Sequence, residues 1–208
     1  MMNSVIASPT EVYNEGGGLK TNWLPIGGAT LLECVTTADD AKYAQAGCGT
    51  TKNLRCTGFG FNGLLPEKAV VHGAELLIRL KRDGEEEIKY LYPTPHAYPR
   101  LYWDAAEQGN GILVTTYWPS VFTNWTHGGR YDKWGCSTLS RVIVAKADFS
   151  VIVAAKWATG VGSDAQVDQV RMKVYYTPHP LRIDIAADKS PLGVRGHVGQ
   201  NRCRSLGC

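Results

Sequence analysis

The chain has 208 residues, room for one large all-β domain with arms more readily than for two small domains. Its 44% hydrophobic and 20% charged residues are ordinary for a globular protein with a real core, and no run reaches the ~18 apolar residues that span a bilayer. The net charge of +3 is too small to argue for nucleic acid, and all of it falls in residues 178–208, where five basic side chains face two acidic ones.

Residues 1–30 are predicted to form an N-terminal arm. Met1 to Val12 has neither a basic n-region nor a long apolar stretch, so no secretory leader is expected and synthesis in a cytoplasm is favoured. Gly16-Gly17-Gly18 and Pro25-Ile26-Gly27-Gly28 interrupt any regular period. Leu31 to Val35 reads as a short strand, and the turn-rich residues 36–49 offer Tyr43 as an inward anchor. Leu54 to Phe61 then leads into Gly60, Gly63 and Pro66. A half-buried strand follows, in which Ala74, Leu76, Ile78 and Leu80 alternate with Glu75, Arg79 and Lys81. Asp83-Gly84 is a hairpin turn, Glu85-Glu86-Glu87 its solvated tip, and Ile88 to Tyr92 the return strand.

Pro93 to Trp103 carries Pro93, Pro95 and Pro99, which exclude an interior strand. It reads as a rigid surface loop, with Tyr98, Tyr102 and Trp103 predicted to touch a partner. Ile112 to Trp118 is a further strand. Val121 to Trp134 is aromatic and turn-rich, and His127 beside Trp125, Arg130, Tyr131 and Asp132 is its most site-like cluster. Trp118, Trp125, Tyr131 and Trp134 with Asp132 could form a sugar platform, since aromatic faces stack on apolar sugar faces while a carboxylate holds hydroxyls. The competing expectation is that two or three of these rings fill the core and the others lie in a protein interface.

Leu139 to Ala145 precedes the last predicted pair of strands. Phe149 to Trp157 is apolar on both faces, the pattern of a central strand covered above and below. Beyond the turn residues 158–165, Val170, Met172, Val174 and Tyr176 point one way, and Gln169, Arg171, Lys173 and Tyr175 the other. The two segments are predicted to form an antiparallel hairpin that Pro178 ends. Asp168 shares the buried phase and needs a structural partner: a backbone N–H of the preceding turn, Arg141 or Arg171. Residues 179–208 are predicted to be a basic, Gly-rich C-terminal arm, with Arg182, Arg195, Arg202 and Arg204 touching a partner.

Six cysteines without a leader default to free thiols. Cys203 and Cys208, with His179 or His197 nearby, match no common zinc spacing, so neither a metal nor a cofactor is expected. Gly-x-Ser-x-Gly, Gly-x-x-x-x-Gly-Lys-Ser/Thr and His-Glu-x-x-His are all absent, and no catalytic residue is predicted. The many short strands separated by Gly and Pro turns predict an antiparallel β-sandwich of about eight strands over residues 31–178, between the two arms.

Several blocks in this order are familiar: Phe59-Gly60-Phe61, Leu65-Pro66, Val70 through Gly73 to Arg79, Trp134-Gly135, Asp148-Phe149-Ser150-Val151, Val167-Asp168 to Val170, and Val174 to Thr177. Together they resemble a jelly-roll-like β-sandwich domain of bacteriophage virion and prophage-encoded proteins, over roughly residues 30–178. The resemblance implies a decoration, fibre or tail module. A non-enzymatic virion structural protein is therefore expected, foremost a capsid decoration or cement protein, alternatively a tail or fibre component. Its partners would be capsid or tail subunits and further copies of itself, with no membrane or nucleic acid. From a different class, a carbohydrate-binding sandwich for a cell-surface glycan is the rival expectation.

Overall fold

A computed structural model describes residues 1–16, 20–47, 49–84, 88–89, 100–109, 117–157 and 163–178. In chain order the elements are β1 (Asn3–Ala7), β2 (Glu11–Glu15), β3 (Leu24–Ile26), α1 (Leu31–Thr36), β4 (Tyr43–Ala46), β5 (Asn53–Thr57), α2 (Phe61–Leu64) and β6 (Val70–Asp83). They continue with β7 (Ile88–Lys89), β8 (Arg100–Trp103), β9 (Ala106–Gln108), β10 (Thr123–Gly128), α3 (Arg141–Val144), β11 (Ser150–Val153), β12 (Lys156–Trp157) and β13 (Asp164–Thr177).

The protein is an antiparallel β-sandwich. One sheet runs β10-β6-β13-β4-β3, with β1 also paired to β13; the other runs β2-β5-β11-β8-β9. With β3, β4 and β5 set aside, the remaining main strands follow a jelly-roll-like order, β1-β13-β6-β10 over β2-β11-β8-β9, and β5 is inserted between β2 and β11. The two sheets together hold eleven strands among the described residues, against about eight expected.

The core lies between the sheets because both long strands alternate. Ala74, Leu76, Ile78 and Leu80 of β6 and Val170, Met172 and Val174 of β13 are buried against Leu54, Cys56, Leu101, Val151 and Val153 of the second sheet. Each fully buried aliphatic side chain of this kind contributes about 1.5–3 kcal/mol.

Five expectations are corrected by the pairing. Arg100–Trp103, the end of the surface loop predicted over residues 93–103, is β8, an interior strand between β11 and β9; residues 93–99, with the three prolines, lie outside the described residues. The predicted hairpin of Phe149–Trp157 with Val170–Tyr176 does not form: β11 pairs with β5 and β8, and β13 with β6, β4 and β1, in opposite sheets. β6 and β13 are both 14 residues long, and pairing them satisfies far more of each backbone than the 4-residue β11 could. Residues 1–30 are no free arm, since β1 pairs with β13, β2 with β5 and β3 with β4, and Trp23 is buried. Leu31–Val35 is helical because Thr30 caps α1: its hydroxyl accepts from the Glu33 N–H at 3.1 Å, and the Glu33 carboxylate accepts from the Ala29 N–H at 3.0 Å. The return strand after Gly84 is β7, which pairs with β12 rather than β6.

The predicted strand at 112–118 lies outside the described residues apart from Tyr117 and Trp118, as do the acidic tip at 85–87, residues 158–162 of the predicted turn, and the C-terminal arm.

Candidate functional site

The outer face of the second sheet carries an unusual charge for its depth. Arg55 lies in β5, where Leu54 and Cys56 point into the core, so the strand alternation sends Arg55 outward. It is nevertheless 7% exposed, because the neighbouring strands cover it. Its guanidinium lies 3.7 Å from the Tyr102 ring centroid and 5.7 Å from that of Tyr13. Nη1 donates to Glu15 at 2.7 Å, Nε to the Ser150 hydroxyl at 3.0 Å and Nη2 to the Asp148 carbonyl at 3.4 Å. A planar cation held by two rings and three acceptors is fixed in orientation, which a lysine could not reproduce. Tyr13, from β2, stays 40% exposed; burial pushes its phenol pKa up, and the Arg55 charge offsets this in part.

Beside this stack opens a cleft of about 590 Å³, bordered by Thr10, Glu11, Tyr13, Asn62, Lys146 and Asp148 among others. Its walls are tied across the sequence. The Thr57 hydroxyl donates to the Ala147 carbonyl at 3.1 Å, and that of Thr10 to the Gly58 carbonyl at 2.9 Å. Lys146 pairs with Asp104, and Asp148 accepts from the Asp104 N–H at 2.7 Å. Gly60 sits at φ 67°, where a side chain would be strained, and a Cβ there would meet only open space.

A second charged cluster lies on the first sheet. Asp168 is fully buried, at a bulge of β13 between Val167 and Gln169. Its side-chain partner is Arg79, where a backbone N–H of the preceding turn, Arg141 or Arg171 was expected; Arg141 instead donates to the Pro66 carbonyl at 3.0 Å. Arg79 also pairs with Asp40 and lies 5.0 Å from the Phe122 ring centroid. Burial raises the Asp168 pKa to about 6, against the opposing pull of Arg79.

The predicted sugar platform is not assembled. Trp118 and Trp134 are each 1% exposed, and the Trp134 indole N–H donates to the Ala74 carbonyl at 2.9 Å. Trp125 is half-buried, packs on the core, and meets His127 edge to face at 5.9 Å. Tyr131 is exposed beneath Arg130, and Asp132 accepts from the Trp134 N–H at 2.6 Å. These rings come from different local settings: Trp125 lies in β10, Trp118 precedes that strand, and Tyr131 and Trp134 follow it in a turn where Trp134, at φ 58°, is buried and Tyr131 is not. Burial lowers the pKa of His127 to about 4, leaving a neutral imidazole at pH 7.

Of the predicted contact aromatics, Trp103 is buried and stacks on Phe149, with centroids 6.2 Å apart. Tyr102 lies against Arg55. Tyr98, Arg182, Arg195, Arg202 and Arg204 lie outside the described residues, as do Cys203, Cys208, His179 and His197. Sequence reasoning missed Arg55, Tyr13 and Glu15. For Arg55 the polar–apolar alternation of Asn53 to Thr57 was the available indication.

No protein-family model matches this sequence, and no curated protein matches it. Among solved structures, the chain is similar to the CBM22-1 xylan-binding domain from Paenibacillus barcinonensis Xyn10C, at 8% identity and a TM-score of 0.37, over 82% of this chain and 92% of that one.

Proposed function

We propose that the chain is a non-enzymatic structural protein of a bacteriophage virion, acting through contacts with neighbouring subunits. The observation that carries this reading is how the blocks that resemble virion sandwich domains come together. Phe59, Phe61 and Phe149 form one aromatic cluster, with centroids 6.0–6.4 Å apart. Gly73 lets β6 approach the 129–132 turn so closely that a Cβ would lie 2.5 Å from the Gly129 carbonyl oxygen. Trp134 then reaches the Ala74 carbonyl from that same turn. These blocks pack together within one β-sandwich, the fold that the resembled domains share.

The charges around the cleft support a binding role over catalysis. Arg55 is matched by Glu15 and Lys146 by Asp104, which is the chemistry of a scaffold. Within the virion, a capsid decoration or cement role is the foremost reading and a tail or fibre component the alternative. Capsid or tail subunits and further copies of the chain would be the partners.

The test is to follow the full chain and a version ending at Pro178 into particles purified from the source phage. The truncated chain is expected to keep its circular dichroism and melting temperature while dropping out of particles. Full incorporation of the truncated chain would remove the basic tail from the reading. Absence of the full chain from particles would overturn the reading itself.

A further inference from the structure

We propose that the cleft beside Tyr13 and Arg55 is a binding site for a neutral carbohydrate. This goes beyond the assembly role and does not depend on it. It also places the sugar on a different face from the Trp118–Asp132 platform that the sequence suggested.

A sugar ring needs a fixed aromatic surface with hydrogen-bonding groups around it. Tyr13 offers the surface, at 40% exposed. Its neighbour Arg55 is itself held by Glu15, Ser150 and the Asp148 carbonyl. Tyr13 therefore packs against a rigid support, and little rotamer freedom is left to lose on binding. Around it the cleft presents the Thr10 hydroxyl, the Glu11 carboxylate, the Asn62 amide and the Lys146 ammonium, a mixed set of donors and acceptors suited to hydroxyl groups. Gly60 leaves its part of the wall open, since no heavy atom stands within 4 Å of where a Cβ would be. The volume of about 590 Å³ falls within the roughly 300–1,000 Å³ of small-molecule sites.

Charge decides between sugar and anion. Both cations that line the cleft are ion-paired, Arg55 with Glu15 and Lys146 with Asp104, and Glu11 and Asp148 add acidic groups that outweigh Arg141, which reaches the lining through Asn62. A phosphate or sulfated chain would meet no net positive field there. A neutral polyhydroxyl ligand meets groups that can each take a hydroxyl.

The experiment is isothermal titration of the full chain with a panel of neutral pentose and hexose oligosaccharides. A sulfated oligosaccharide and inorganic phosphate serve as comparison ligands. Binding to a neutral oligosaccharide is expected, weakened roughly tenfold in Tyr13→Ala through loss of the stacking surface. It should be retained in Tyr13→Phe, which keeps the ring, and in Tyr131→Ala, which removes an exposed ring elsewhere. Asn62→Ala, which gives up only an exposed hydrogen bond from Arg141 at 3.3 Å, should weaken binding with little change in melting temperature, so the site can be read even if Tyr13→Ala does not fold. Failure of every neutral sugar to bind, a preference for the sulfated chain or phosphate, or loss of binding in Tyr131→Ala with none in Asn62→Ala would overturn the proposal. None of these results bears on particle incorporation, so the two readings fail separately.

Discussion

Replacing Asp168 with Asn asks whether burial or the Arg79 pair governs this carboxylate. An Asp in an unfolded chain titrates near 3.9, whereas in the folded protein burial holds Asp168 at about 6. The folded state binds the proton more tightly. The resulting stability is fully present below about pH 4 and is lost as the pH rises through about 6. A gap of about two pH units, at ~1.36 kcal/mol each, makes this contribution up to about 3 kcal/mol. His127 acts in the opposite sense: burial holds it at about 4, against about 6.5 unfolded, so its stability is lost as the pH falls through that window. The two offset one another in the wild type. Asp168→Asn removes one of them, so on going from pH 6.5 to pH 4, which covers most of that gap, the variant should lose about 2 kcal/mol relative to wild type, or roughly 4–8 °C in Tm. At pH 7 it should stay near wild type, because the amide can still accept from Arg79 and no buried charge needs desolvating. Urea unfolding followed by tryptophan fluorescence at pH 4, 5, 6 and 7 measures both quantities. A loss of about 3–5 kcal/mol at pH 7, with no added acid sensitivity, would refute the reasoning and show that the ion pair outweighs burial.

Two further outcomes follow from the packing. Gly73→Ala places a Cβ 2.5 Å from the Gly129 carbonyl oxygen and 2.8 Å from the Asp132 nitrogen; both are backbone atoms that cannot swing aside, so a loss of at least about 1–3 kcal/mol is expected by thermal melting. Thr30→Ala removes the cap of α1 and should cost about 1 kcal/mol, with Thr30→Ser restoring it in the same assay.

Periodicity was the legible part of the fold. The alternation in Ala74–Leu80 and Val170–Tyr176 follows directly from one buried face, and both strands are found where it falls. Partner choice was not legible, since alternation says which face is buried and nothing about which strand lies alongside; β13 therefore looked like a hairpin mate for β11. α1 was read as a strand because its short apolar run fits either period, and the capping signal Thr30-x-x-Glu33 beside it went unused. β1 and β2 were hidden by Pro9 and by polar residues suited to sheet edges. At the site, Arg55 could be placed outward by alternation, while its burial depends on Tyr13 and Tyr102 arriving from distant strands. The aromatics of 118–134 fail for the same reason, as composition does not tell a core tryptophan from a surface one.

The pairing of Asn3 with Tyr176 has a kinetic consequence. The second sheet draws all its strands from residues 11–153, but the first is built around β13, the final described strand. During synthesis β6 therefore emerges well before its main partner and waits with one backbone edge unpaired. Such long-range closure places folding among the slow β-topologies, on the order of milliseconds to seconds. The time between translation of Asp83 and of Thr177 is when the nascent chain is most open to aggregation.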